Sequence, residues 1–311
     1  GMGIDGETYG RIVEMRRRKL KFSASQVRWI IEDSGAVLAT LEAERIEALI
    51  CIGGDGTLHA ASRVADAGVK IVAIPKTIDN DVAFVSRTFG YLTAVEEATK
   101  VIDCAHTEAH SVHNGISIVK IMGRHAGFIA AGATVASQDV NFTLVPEVPF
   151  VLDGEDGFLA ALEKRVVDRA HAVVLVAEGA GQHLLEGNSD ERDASGNIKL
   201  KDIGQFMRDK IDAHFKAKEI PYSIRYIDPS YLVRSVPASA EDAILCDFFA
   251  RNAVHAAMAG KTGLVIGYQH GKFTHVPVEL LTKKQKTLDL NSPAWLGVLA
   301  STGQNFAQFA I

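Results

Sequence analysis

Two short apolar runs, 46–52 and 70–74, each end in a loop that opens the backbone, and this repeated junction constrains the fold more than any other feature of the chain. Each run is short enough to be a buried parallel strand. The first passes through Gly53, Gly54, Asp55, Gly56 and Thr57 into 58–64, which has the apolar spacing of a helix. The second is stopped by Pro75 and followed by Lys76, Thr77, Ile78, Asp79, Asn80 and Asp81. The glycines therefore sit at a strand-to-helix turn. The acids emerge at a strand's carboxyl end, where open α/β sheets bind ligands.

A glycine turn of this kind points bare N–H groups at an anion, and the following helix adds the positive end of its dipole. Asp55 beside a polyanion calls for a divalent cation, for which magnesium is the natural choice. A carboxylate at position 79 or 81 can accept the proton of an attacking hydroxyl. Singly, each loop has an ordinary reading: glycine turns are common, and Asp-Asn-Asp is more often a solvated turn or helix cap. In order and one βα unit apart, they read as a phosphoryl-transfer site.

Strand and helix signals alternate almost throughout, which predicts parallel sheets covered by helices. Helices are expected over 91–105 and 203–216, and strands over 117–121, 142–145 and 172–176. With 311 residues, 47% of them hydrophobic, the chain can bury two cores. A net charge of −5 gives no general attraction to nucleic acid or anionic membrane. Cys51, Cys104 and Cys246 lie apart in apolar surroundings and read as reduced core residues of a cytoplasmic protein. No segment has the ~20 apolar residues of a membrane span or the look of a secretory signal. Gly1 before Met2 reads as a tag remnant, and the polar stretch 186–197 as a surface loop.

Further segments narrow the reading. Residues 121–130 contain Met122, Gly123 and Arg124; 146–150 read Pro-Glu-Val-Pro-Phe; 176–179 end in Glu178 and Gly179; and 225–234 run from Arg225 through Tyr231 to Arg234. Together with the two loops, these resemble the phosphofructokinases, in particular their long bacterial, plant and trypanosomatid ATP-dependent branch. The glycine segment alone would also suit NAD kinases and lipid kinases, which do not explain the later segments. The resemblance implies an α/β fold of two parallel-sheet, three-layer domains with the active site in the cleft between them. It places the first part of a donor domain in 1–90, a sugar-phosphate domain in 91–235, and, in 236–311, a return to the donor domain through a helix over 242–258 and a strand over 263–267, with a C-terminal segment.

The implied reaction is transfer of the γ-phosphate of ATP to the 1-hydroxyl of fructose 6-phosphate. Gly54, Asp55, Gly56, Thr57 and Lys76 would face the donor, with Asp55 and Asp81 toward Mg2+. Asp79 is implied as the base, Thr77 and Arg124 as its catalytic partners, and Ile78, Met122, Gly123, Glu178, Tyr231 and Arg234 as further sugar-phosphate contacts. Arg225 matches an arginine that family members lend across a subunit interface, which implies a homodimer or homotetramer. Each has an ordinary alternative: a surface ion pair for Arg124 or Arg225, a helix cap for Glu178, core filling for Met122. His59, His125, His255 and His275 show no metal-ligand spacing. With an ordinary pKa of roughly 4, Asp79 would be ionised at neutral pH.

Gly56 goes with ATP in the family, where aspartate at that point goes with pyrophosphate. Lys76 is typical of pyrophosphate users but also occurs in the ATP-dependent long branch, so ATP is the expected donor. The family's amino-terminal GGDxPGxN loop and a later Gly-Ser-Ser-Arg segment have no counterpart here, and 16–21 form a basic run instead. The expectation is either an incomplete chain or a sugar-phosphate-binding subunit with weakened donor binding.

Overall fold

The computed structural model describes residues 34–185, 199–281 and 286–304; the basic run 16–21 and the polar stretch 186–197 lie outside them. The chain divides into two compact units. Of the described residues, 34–75 and 247–281 make up the first, and 76–185, 199–246 and 286–304 the second.

The first unit holds α1 (Ser34–Ala43), β1 (Leu49–Gly53), α2 (Asp55–Asp66) and β2 (Ile71–Pro75). β1 pairs with β2 and β2 with β7 (Leu264–Gln269), all parallel. β2 is buried along its whole length, as its unbroken apolar run requires of a central strand. Leu41, Ala61, Val64 and Ile71 form a small core beneath it. β8 (Lys272–Pro277) adds an antiparallel edge strand beside β7. The cause is the turn: His270 and Gly271 both take positive φ, 50° and 76°, the conformation of a two-residue hairpin, which is too short for a parallel crossover.

The second unit runs α3 (Tyr91–His110), β3 (Gly115–Ile121), α4 (Phe128–Ser137), β4 (Phe142–Leu144), α5 (Phe158–Arg169), β5 (His171–Ala177), α6 (Ile203–Ala217) and β6 (Ser223–Ile227). After these come α7 (Ser230–Val233) and α8 (Ala240–Met258), which continues into the first unit; α9 (Val278–Leu281) belongs to the first unit and α10 (Pro293–Thr302) to the second. The sheet order is β4-β5-β3-β6, entirely parallel. Alternation along the central strands builds two cores. Val119, Ile121, Val173 and Leu175 face Ala98, Ile102, Ile129 and Trp295, while Ile116, Ile118, Val174 and Val176 face Phe158, Leu162, Met207 and Ile211. This is the predicted three-layer α/β arrangement.

Helix α3 begins after Gly90, whose side chain cannot cap it, and Asp242 does so instead. Its Oδ2 accepts the Thr93 N–H at 2.8 Å and the Thr93 hydroxyl at 2.7 Å. None of the three cysteines forms a disulfide, but only Cys51 is shielded, its thiol pushed up to about 11 by burial. Cys104 and Cys246 are exposed on α3 and α8, which corrects their assignment to the core. Among the described residues no helix is long and apolar enough to cross a membrane.

Candidate functional site

In the first unit the sequence Gly-Gly-Asp-Gly-Thr makes the turn from β1 into α2. A Cβ at Gly53 would collide with the Thr57 side chain, so glycine is required for the helix to start this close to the strand. Gly54 is the N-cap and brings no side-chain cap, leaving the first-turn N–H groups of Asp55, Gly56 and Thr57 without an intrahelical acceptor. Asp55 and Gly56 are exposed, and a Cβ at Gly56 would meet nothing within 4 Å. Asp55 pairs with His59 at 3.3 Å. A helix N-terminus of this form suits an anion.

In the second unit, Lys76 to Gly90 form a loop closed on itself. The Thr77 hydroxyl accepts the Asp79 N–H at 3.1 Å, and the Thr77 carbonyl accepts the Thr88 hydroxyl at 2.7 Å. Buried Asn80, at φ 57°, accepts the Thr88 N–H at 3.0 Å; asparagine is among the few side chains that tolerate this left-handed backbone. Thr77 and Asn80 thus build the loop, and Ile78 packs against the core beneath it. What the loop presents is Asp79, half-buried, with Asp81 two residues on.

Arg124 and Glu178 arrive from the carboxyl ends of β3 and β5. The Glu178 N–H donates to the Ile121 carbonyl at 2.8 Å and the Gly179 N–H to the Gly123 carbonyl at 3.1 Å, fastening the two strand ends together. Gly123 has φ 134°, and a Cβ at Gly179 would collide with the Arg124 carbonyl, so the close approach needs both glycines. Glu147, from the Pro-Glu-Val-Pro-Phe segment, pins the same turn from the other side. Its carboxylate accepts the N–H of Gly127 at 3.0 Å, at the start of α4, and that of Leu288 at 2.8 Å.

The charges explain one another. Burial, then the nearby carboxylates of Asp81 and Glu178, push the Asp79 carboxyl up to about 7, while Arg124 and Lys76 pull it down. The ordinary value expected from sequence is therefore corrected. Burial also raises Glu178 against the pull of Arg124, Lys120 and Arg234. Burial works against the Lys120 ammonium, yet its pairing with Asp228 at 2.7 Å and with Asp202 at 3.5 Å raises it. The structure thus brings Lys76, Asp79, Asp81, Arg124, Glu178 and Arg234 into one electrostatic neighbourhood. Half-buried Asp81 offers oxygen atoms of the kind magnesium takes.

Other predicted residues stand differently. Met122 is buried in the core, so only its backbone is available to a ligand. Tyr231 is 75% exposed, and the Arg234 guanidinium lies over its ring at 4.6 Å. Arg225 lies on edge strand β6 and pairs with Glu108 at 3.0 Å, outside the Asp79 neighbourhood. A cavity of about 570 Å³, lined in part by Phe150, Leu152, His183 and Phe206, includes none of the predicted site residues.

Sequence reasoning missed Lys286. Its N–H donates to the Asp81 carbonyl at 3.2 Å and its ammonium to the carbonyls of Val85 at 2.8 Å and Ser86 at 3.1 Å. Burial lowers its pKa to about 8, with Asp81 opposing. Nothing in the local run of polar residues marks this lysine out.

A family model described as Phosphofructokinase matches residues 8–257. The chain belongs to the phosphofructokinase family. It is 44% identical over 280 residues to an ATP-dependent 6-phosphofructokinase of Borreliella burgdorferi, covering 86% of this chain and 63% of that protein. It is 42% identical over 280 residues to ATP-dependent 6-phosphofructokinase 7 of Arabidopsis thaliana, covering 88% and 58%. The chain thus spans about three-fifths of the length of these phosphofructokinases. Its fold is similar to that of a pyrophosphate-dependent phosphofructokinase of Nitrosospira multiformis, with a TM-score of 0.68 at 18% identity, covering 89% of this chain and 72% of that one.

Proposed function

We propose that this chain transfers the γ-phosphate of ATP to the 1-hydroxyl of fructose 6-phosphate, giving fructose 1,6-bisphosphate. The observation that carries the reading is the half-buried Asp79 carboxyl, flanked by Asp81 and Glu178 and opposed by Arg124 and Lys76. A carboxylate whose pKa lies near 7 accepts a proton readily at neutral pH. As the sugar oxygen attacks phosphorus, its proton passes to Asp79, and Arg124 and Lys76 offset charge on the transferring oxygens. Thr77 holds the Asp79 backbone in place. Asp55 in the first unit and Asp81 in the second are the carboxylates offered to Mg2+, which when bound would supply charge neutralisation to the donor's phosphates.

The remaining roles follow the family resemblance. Gly54, Asp55, Gly56 and Thr57 receive the donor in the first unit, and Glu178, Tyr231 and Arg234 hold the sugar phosphate in the second. Arg225, partly exposed on its edge strand, reaches a neighbouring subunit's site in a homodimer or homotetramer. Donor choice rests on Gly56 and on the names of relatives at 42–44% identity, which are ATP-dependent. The pyrophosphate-dependent neighbour at 18% identity speaks for the fold alone. The cytoplasmic placement accords with three cysteines that form no disulfide.

The test is a coupled assay with fructose 6-phosphate, magnesium and either ATP or pyrophosphate. Turnover with ATP is expected, and Asp79→Asn should lower kcat about 10²- to 10⁴-fold while leaving the sugar's KM nearly unchanged. Turnover with pyrophosphate and none with ATP would reverse the donor assignment. Calorimetric binding of fructose 6-phosphate without ATP binding or turnover would identify a sugar-binding subunit instead.

A further inference from the structure

A second set of polar side chains stands at the opposite end of the second unit's sheet from Glu178. His106 and His110 are one helical turn apart on α3 and so share a face, and His171 is the first residue of β5. The ring centroids of His110 and His171 are 3.7 Å apart, those of His106 and His110 4.5 Å, and those of His106 and His171 5.4 Å. One nitrogen from each imidazole lies within 4.8 Å of the other two.

The hydrogen bonds around these rings decide which nitrogens face one another. Nδ1 of His106 lies 3.3 Å from the Asp139 carboxylate, and Nδ1 of His171 lies 3.0 Å from the Arg169 carbonyl oxygen. Each partner accepts a hydrogen bond from Nδ1–H, which leaves the lone pair on Nε2. Carboxylate and carbonyl supports of this kind orient metal-binding histidines. One group competes: Nη2 of Arg165 lies 3.3 Å from Nε2 of His171 and donates to that lone pair.

We propose that His106, His110 and His171 bind one divalent transition-metal ion of the zinc class, with Asp139 and the Arg169 carbonyl as supports and Arg165 as the group the ion displaces. Imidazole ligands suit zinc, and three of them leave a fourth position for water. Tetrahedral nitrogens at about 2.0–2.1 Å from zinc stand about 3.3 Å apart, which modest side-chain rotation reaches from the present spacing. The ion would tie the last turns of α3 to the start of β5. Glu178 lies roughly 20 Å away along the strand, so the site clamps structure and takes no part in phosphoryl transfer.

The experiment uses the chain without an affinity tag, freed of metal by chelator. Cobalt(II) is titrated in while the visible absorption of tetrahedral cobalt is followed, and zinc binding is then measured by calorimetry and by the zinc-induced rise in Tm. One ion per chain is expected. His106→Ala, His110→Ala and His171→Ala should each abolish the cobalt bands, and Asp139→Asn should weaken binding about 10- to 100-fold. Arg165→Ala should tighten it, an effect that a merely structural role for the histidines would not produce. Should a variant of the half-buried histidines misfold, exposed His110→Ala and Arg165→Ala still carry the test. Absence of stoichiometric zinc binding to the intact chain, or binding undiminished in His110→Ala, would overturn the proposal.

Discussion

Asp79 carries a cost that its location explains. Its carboxyl is raised from 3.8 to about 7, so the ionised form is less comfortable in the folded chain than in the unfolded one. The sign follows: the penalty is absent below pH 3.8, grows as pH rises through that range, and is complete above about 7. Asp79→Asn should therefore have a higher Tm than the wild type at pH 8 and no advantage at pH 4, as thermal denaturation at both values would register. In the free enzyme kcat/KM should climb with pH to a midpoint near 7; a midpoint near 4 would mean that the site's carboxylates do not act on Asp79 as described. Gly56 and Gly179 make a contrasting pair. Gly56→Asp has open space, adds a favourable acid at a helix start, and should leave Tm intact while depressing ATP turnover in the coupled assay. Gly179→Ala drives a Cβ into the Arg124 carbonyl, and should lower both Tm and kcat by displacing the turn that carries Arg124.

At the scale of elements, strands were the most legible parts. An apolar run with a breaker at its end has few alternatives, and the runs read as strands at 46–52, 117–121 and 172–176 correspond to Leu49–Gly53, Gly115–Ile121 and His171–Ala177. Helix α3 runs to His110, beyond the 105 expected, because Ala105 and Ala109 continue its buried stripe. Strand β6 escaped the reading since its residues are only partly buried and carry Arg225 in an edge strand, where periodicity is weak. The cap on α3 was also invisible, as its carboxylate comes from distant Asp242. Asp242→Ala leaves the buried Thr93 N–H and hydroxyl without their acceptor and should cost about 2–3 kcal/mol in urea denaturation, against near-neutrality for Glu241→Ala on the exposed side of the same helix start.

The two units differ in how much each buries. In β5 the residues from Ala172 to Ala177 are all 0% exposed, whereas Ile52 of β1 is 57% exposed and Gly53 is the strand's one fully buried residue. Native-state hydrogen exchange should find the β5 amides opening only with global unfolding and those of β1 opening sooner; equal protection in both strands would contradict this. The sequence by itself determined the α/β class, the order of strands and loops, and which residue types the glycine turn and the acid loop carry, because those depend on local apolar period and on which residues open a turn. Tertiary structure alone decided the state of Asp79, the use of Glu147, Asp242 and Lys286, and the gathering of His106, His110 and His171. A pKa, a cap or a ligand set depends on which distant groups are brought within a few ångströms, and no local pattern encodes that distance.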